Sequence, residues 1–139
     1  MPTITRTFLK ASLIYFLLAM LLGVLLGFRV AALAPSWISS LSPVYFHLFL
    51  VGWVTQLIFG VVIWMFPKYS LAKPRGDERL AWSVFLLLNL GLILRAITEP
   101  LNAAMPGSVW GWLLALSAVL QWIAGILFVL ITWPRVKER

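Results

Sequence analysis

Three ionisable side chains lie within or at the ends of long apolar segments, and they are the residues best able to do chemistry. His47 is the only histidine of the chain, and Arg29 and Arg95 belong to two other apolar segments. A neutral imidazole can bind a metal ion, and the planar guanidinium group of arginine matches a carboxylate or a phosphate. We therefore treat these three residues as a candidate binding site.

The chain around these residues is too apolar for a soluble domain. Of its 139 residues, 63% are hydrophobic and 11% are charged, whereas soluble domains carry about 25% charged residues. We predict one integral membrane domain over residues 1–139. The chain has no cysteine, which excludes disulfides, thiolate metal sites and thiol catalysis.

Four segments reach the roughly 20 apolar residues that a helix needs to cross a bilayer. They predict an all-α, four-helix membrane bundle with spans at about 11–33, 44–66, 80–98 and 109–133. Prolines lie in or beside the gaps between the spans. Because proline ends helices, we expect the third span to end before Pro100.

Lysine and arginine residues predict the orientation of the bundle. They occur in the N-terminal segment, in the loop between spans 2 and 3, and in the C-terminal tail: Arg6, Lys10, Lys68, Lys73, Arg75, Arg79, Arg135, Lys137 and Arg139. The other two loops have none. The positive-inside rule then places both termini in the cytoplasm, and we expect a bacterial-type inner (cytoplasmic) membrane. Basic residues that flank spans, with no continuous basic face, argue against nucleic-acid binding despite the net charge of +7.

This orientation places His47, Arg29 and Arg95 at a similar depth near the outer face. Imidazole is a ligand of haem iron, and arginines can pair with the haem propionates. We therefore predict haem b, with His47 as the iron ligand and Arg29 and Arg95 as propionate partners. The same groups could hold a quinone head or a lipid phosphate.

Simpler interpretations of each residue stay open. His47 could hydrogen-bond to water, backbone or headgroups, and Arg29 could extend to the headgroups. Arg95 lies four residues before Glu99 and could form an ordinary pair on one helix.

A single histidine cannot supply both axial ligands of a six-coordinate haem. The second would come from another copy of the chain, a partner subunit or a methionine, with Met20, Met65 and Met105 available. On an ideal helix, Gln56 lies opposite the face that carries His47. Because Gln56 needs a partner in hydrocarbon, we expect its side to pack inside the bundle, which leaves the His47 face for a second chain, a flat ligand or lipid.

Polar and small residues within the spans predict helix packing. Ala19, Gly23 and Gly27 are spaced by four in span 1, and small residues at that spacing let helices approach closely. Asn89 and Gln121 are expected to form hydrogen bonds between helices. Whether the partner of span 1 belongs to the same chain is open.

The stretch FHLFLVGWVTQLIFGVVIWMFP, residues 46–67, resembles helix II of haem–copper oxidase subunit I. The likeness is closest to the nitric oxide reductase and C-type oxidase branches and to short four-span proteins grouped with that family. Many of the short proteins have a second histidine where this chain has Tyr45. LNLGLILRAITEP in span 3 is similar to them too. The resemblance implies that His47 is an axial ligand of a low-spin haem b.

The copper ligands and the high-spin haem ligands of those oxidases are missing from this chain. We therefore expect no oxygen or nitric oxide reduction by this chain alone, and no serine, aspartate and histidine set or phosphate loop indicates another enzyme. Two hypotheses result. The first is a b-type cytochrome-like protein for electron transfer or gas sensing, as a homodimer. The second is a non-catalytic subunit of a respiratory or photosynthetic membrane complex that binds lipid, quinone or pigment.

Overall fold

The computed structural model describes residues 1–69, 76–107 and 109–136, and within them the chain is helical without any strand. Five α-helices are joined by shorter helical segments. Their bounds are Thr3–Val30 (α1), Ser42–His47 (α2), Gln56–Met65 (α3), Glu78–Ala104 (α4) and Val109–Thr132 (α5). A 3₁₀ helix, Ser36–Leu41, precedes α2, a π-helical segment, Leu48–Thr55, joins α2 to α3, and a second 3₁₀ helix, Trp133–Arg135, follows α5.

Four helical stretches are long and apolar enough to cross a membrane. They cover Thr3–Val30, Ser36–Met65, Glu78–Ala104 and Val109–Arg135. The all-α prediction with four apolar spans is confirmed at that level, and we keep the name span 2 for the stretch that contains α2, the π-helical segment and α3. Many large apolar side chains are exposed and few are fully buried, as expected for helices that are apolar enough to cross a membrane.

The third span does not end before Pro100, so the predicted end at Thr98 is wrong. Pro100 lies inside α4, which continues to Ala104. Proline has no N–H to donate to the carbonyl of Ala96, but membrane helices tolerate such a residue when neighbouring groups compensate. The helix ends where Met105 donates its N–H to the carbonyl of Leu101, at 2.9 Å. The first span likewise starts earlier than predicted, at Thr3 instead of Ala11.

Two glycines of span 2 bring it into close contact with α1. A Cβ atom built on Gly52 would lie 2.8 Å from Cγ of Tyr15, and one built on Gly60 would lie 2.8 Å from Cβ of Phe8. Both distances are shorter than real Cβ contacts, so glycine is required at both positions. Gln56, between them, is fully buried, which confirms that this side of span 2 packs inside the bundle.

The second helix pair, α4 with α5, is closely packed through Gly91. A Cβ on Gly91 would meet Cγ of Gln121 at 2.8 Å and the carbonyl oxygen of Ser117 at 2.9 Å. The two pairs share a core of apolar side chains from all four spans: Ile4, Phe8, Ile63, Ala81, Val84, Leu88, Leu92 and Ala124.

The small residues of α1 have partners within the same chain at two of three positions. Ala19 is fully buried against Val44 and Leu48 of span 2, and Gly23 faces the ring of Tyr45 at 3.3 Å from an added Cβ. Gly27 has no atom within 4 Å of an added Cβ.

Polar side chains bind the free backbone groups at two helix ends. Asp77 is the N-cap of α4, where its carboxylate accepts a hydrogen bond from the N–H of Arg79 at 2.9 Å. At the C-terminal end of α3, Arg135 donates hydrogen bonds to backbone carbonyls. Of the basic residues used to predict orientation, Lys73, Arg75, Lys137 and Arg139 lie outside the described residues.

Candidate functional site

His47 is the last residue of α2 and directly precedes the π-helical segment. Its side chain is partly exposed, and Nδ1 lies 2.9 Å from the carbonyl oxygen of Pro43. A carbonyl can only accept a hydrogen bond, so Nδ1 carries a proton, and in the neutral form of the ring the lone pair lies on Nε2. Histidines that bind metals are commonly oriented in this way, by a bond from the nitrogen that does not bind the metal.

The π-helical segment changes the turn of the helix just after His47. Its wider turns run from Leu48 to Thr55, and the Thr55 hydroxyl donates to the carbonyl of Leu50, five residues back, at 2.9 Å. Short π-helical stretches within α-helices are frequent at functional sites. The angles of an ideal α-helix therefore do not apply through this part of span 2, although the buried face containing Gln56 is as predicted.

Tyr45 occupies the position where the sequence resemblance would predict a second histidine. Its side chain packs inside the bundle. Its ring contacts α1 at Gly23 and meets the Phe49 ring, with centroids 6.0 Å apart. It is two residues from His47 on the same helix, so the two side chains point in very different directions.

Arg29 lies in the last turn of α1, the end that the sequence predicts to be at the outer face. Its Nε atom is buried and has no hydrogen-bond partner among residues 1–69, 76–107 and 109–136. A buried guanidinium N–H without an acceptor is unfavourable. Arg29 is therefore the arginine of the site with an evident need for an anionic or polar ligand.

Arg95 already has a carboxylate partner. Its Nε donates to Oε2 of Glu99 at 3.0 Å and its Nη2 to Oε1 at 3.4 Å, and both side chains are largely buried. The structure thus contains the ordinary ion pair between Arg95 and Glu99 on one helix. A propionate would have to share the guanidinium group with Glu99, so Arg95 is a weaker candidate than Arg29.

No hydrogen bond or ion pair joins any two of His47, Arg29 and Arg95 within the part of the chain that the structure describes. Residues 1–69, 76–107 and 109–136 contain no cluster of three or more His, Cys, Asp or Glu side chains that could hold a bare metal ion. A haem differs in this respect, because its porphyrin supplies four of the iron ligands and the protein adds only axial ones.

Sequence reasoning missed a side chain with extensive hydrogen bonds near the C-terminal end of the described chain. Arg135 was predicted only as a cytoplasmic charge, yet it is 1% exposed. Its guanidinium group donates to three carbonyls at the end of span 2, those of Ile63, Phe66 and Pro67, at 3.1, 2.8 and 3.0 Å. The proline that follows Trp133 was the only local signal that the chain turns there.

The interior polar residues behave in three different ways. Tyr15 of α1 donates to Oδ1 of Asn89 at 2.9 Å, which confirms Asn89 as a hydrogen-bonding residue between helices. Gln121 packs against Gly91, but its Nε2 is buried without a partner in the described residues. Gln56 has neither an acceptor nor a donor partner there.

An apolar groove opens between span 2 and α5, and His47, Arg29 and Arg95 are not among its walls. It has a volume of about 490 Å³, and its walls are Phe59, Trp122, Gly125, Ile126, Phe128, Val129 and Leu130. The rings of Phe59 and Phe128 stack there with centroids 3.6 Å apart. None of the wall residues is ionisable, which suits a largely apolar partner.

Comparisons with protein-family models, curated proteins and solved structures find no match for this chain. The fold defines an all-helical protein with four helical stretches long and apolar enough to cross a membrane, and with one histidine near a helix end. The resemblance of span 2 to helix II of the haem–copper oxidases stays a prediction from the sequence.

Proposed function

We propose that the chain is a b-type cytochrome-like membrane protein in which His47 binds haem iron near the outer face. The observation that carries the proposal is the hydrogen bond from Nδ1 of His47 to the carbonyl of Pro43. It fixes the ring and leaves the Nε2 lone pair for iron. Haem bound in this way supplies one-electron chemistry or a site for a small gas.

Arg29 is the main partner that we propose for the haem propionates. Its Nε lacks an acceptor among the described residues, and a propionate would provide one as a charge-assisted hydrogen bond. Arg95 would contribute a second contact only by sharing its charge with Glu99. The donor groups therefore fit a haem that stands with its propionates toward the outer face.

A homodimer completes the proposed site. Each chain has one histidine, and His47 is only partly covered by its own bundle. Two copies would supply two axial imidazoles and enclose the ring from both sides. In this proposal both termini are cytoplasmic, and the membrane is a bacterial-type inner membrane, as the distribution of basic residues indicates.

The absorption spectrum of the purified protein in detergent tests this function. We expect a reduced b-type spectrum that disappears in His47→Ala, because the iron loses its axial ligand. Phe46→Ala is the matched control, since Phe46 is the exposed neighbour of His47, and it should keep both the spectrum and the helical circular dichroism. A His47→Ala protein that is folded and retains the same spectrum would contradict the proposal.

The apolar groove favours a second candidate, a non-catalytic subunit of a larger membrane complex. Trp122 is 68% exposed at its rim, far from the ends of α5, although tryptophan is enriched at membrane interfaces and not at mid-depth. A helix of another subunit, or a quinone or pigment, would cover it. A colourless protein that purifies with other subunits would support this candidate and exclude the first.

A further inference from the structure

The side chain of Gln56 is the least satisfied polar group of the interior. It is fully buried, and both Oε1 and Nε2 lack hydrogen-bond partners among residues 1–69, 76–107 and 109–136. A carboxamide in an apolar environment without such partners is strongly unfavourable. Buried polar side chains in folded proteins nearly always have a partner, from the protein or from ordered water.

The two close glycine contacts show which residue of α1 lies at the same depth as Gln56. Gly52 meets Tyr15 and Gly60 meets Phe8, so span 2 and α1 run antiparallel in register. Gln56 lies four residues from each glycine, or about one turn, which places it level with Ser12.

Ser12 can serve as one wall of a polar site. It is fully buried, and its hydroxyl donates to the carbonyl of Leu9 at 2.8 Å. The donated proton leaves the oxygen lone pairs free to accept. One turn further out, the Tyr15 hydroxyl donates to Asn89 and keeps its own acceptor capacity, so the level of Gln56 offers acceptors as well as the amide donors.

Any molecule bound at this level has to be very small. On either side of Gln56 the helices are so close that an added Cβ would lie 2.8 Å from α1 side chains. The polar side chains at this level, Ser12 and Gln56, and those one turn away, Tyr15 and Asn89, are all neutral, so none of them would balance the charge of an ion. A water molecule meets both conditions, since it is small and neutral and can form three hydrogen bonds.

We infer that Gln56 holds one or two internal water molecules between α1 and span 2, at the level of Ser12. The water donates to Oε1 of Gln56 or to Oγ of Ser12 and accepts from Nε2 of Gln56. It joins span 2 to α1 at mid-depth, where no direct side-chain hydrogen bond links them in the described part of the chain. This inference is independent of whether the protein binds haem.

Solid-state NMR of the protein in lipid bilayers can test this directly, because the chain has only two glutamines, Gln56 and Gln121. With ¹⁵N in the glutamine side chains, two amide signals are expected, and Gln121→Met leaves the Gln56 signal alone. Gln56→Met, which leaves the Gln121 signal alone, provides the same assignment if the first variant does not fold.

The measurement is the rate at which proton magnetisation passes from water to the amide. We expect transfer to the Gln56 side-chain amide to be severalfold faster than to the backbone amide of Ala124, which is labelled with ¹⁵N-alanine in the same protein and is equally buried in an apolar core. Transfer as slow as at Ala124 would overturn the inference, because the Gln56 amide would then have no water beside it.

Discussion

His47 shows what one residue can reveal before a structure is known. The sequence gives the residue and hydropathy predicts its depth in the membrane. Neither predicts which ring nitrogen carries the proton. The proton on Nδ1 is assigned by the Pro43 carbonyl, which the helix places four residues back. The Arg95–Glu99 pair was predictable as an alternative because its spacing is local. The unpartnered Nε of Arg29 depends on packing between helices, which spacing alone does not specify.

Arg135 is the residue for which sequence reasoning fell furthest short. Its partners lie 68 to 72 positions earlier in the chain, so no local pattern could identify them. The guanidinium group donates to carbonyls at the end of α3, where the helix dipole is negative and the carbonyls lack helical partners. One side chain thus ties the end of α5 to the end of span 2.

Arg135→Gln should therefore lower the free energy of unfolding by about 2 kcal/mol, since hydrogen bonds from a charged group contribute roughly 1.5–3 kcal/mol. Unfolding in SDS, followed by circular dichroism, measures the change. Arg6→Gln makes the same change of charge at an exposed position near the same membrane face. Equal stability of the two variants would show that the buried contacts of Arg135 contribute nothing.

At the scale of elements, hydropathy predicted four spans well, because twenty apolar residues in a row have few other structures. It did not predict the π-helical segment, since no residue type marks a wider turn. It also placed the end of the third span too early. Pro100 disfavours a helix locally, but α4 continues through it to Ala104.

Gly91 tests the packing of α4 against α5. Gly91→Ala should destabilise the protein by about 1–3 kcal/mol, the usual range for overpacking a tight contact, because its Cβ would overlap Gln121 and Ser117. Gly125→Ala is the control, since nothing lies within 4 Å of a Cβ there. Thermal unfolding in detergent distinguishes the two variants. A Gly91→Ala protein as stable as Gly125→Ala would mean that the helices are further apart than described.

For the whole molecule, the distribution of basic residues predicts an orientation that the fold alone does not define. The chain has no cysteine, so single cysteines can report the side of the membrane without background. Ser39→Cys lies in the predicted outer loop and Val136→Cys near the C-terminus, and both positions are exposed.

A membrane-impermeant maleimide should label Ser39→Cys in intact spheroplasts and Val136→Cys only after permeabilisation. This outcome follows from the positive-inside rule, and both substitutions leave the net charge unchanged. The reverse labelling pattern would place His47 at the cytoplasmic face and contradict the proposed orientation of the haem.

The central claim is that the His47 imidazole binds iron, and the single histidine makes it directly measurable. Protein grown with ¹⁵N-labelled histidine carries the label at residue 47 alone. Pulsed electron paramagnetic resonance of the oxidised protein should show ¹⁵N coupling to a low-spin ferric haem. A haem signal without ¹⁵N coupling, or a purified protein without haem, would contradict the account.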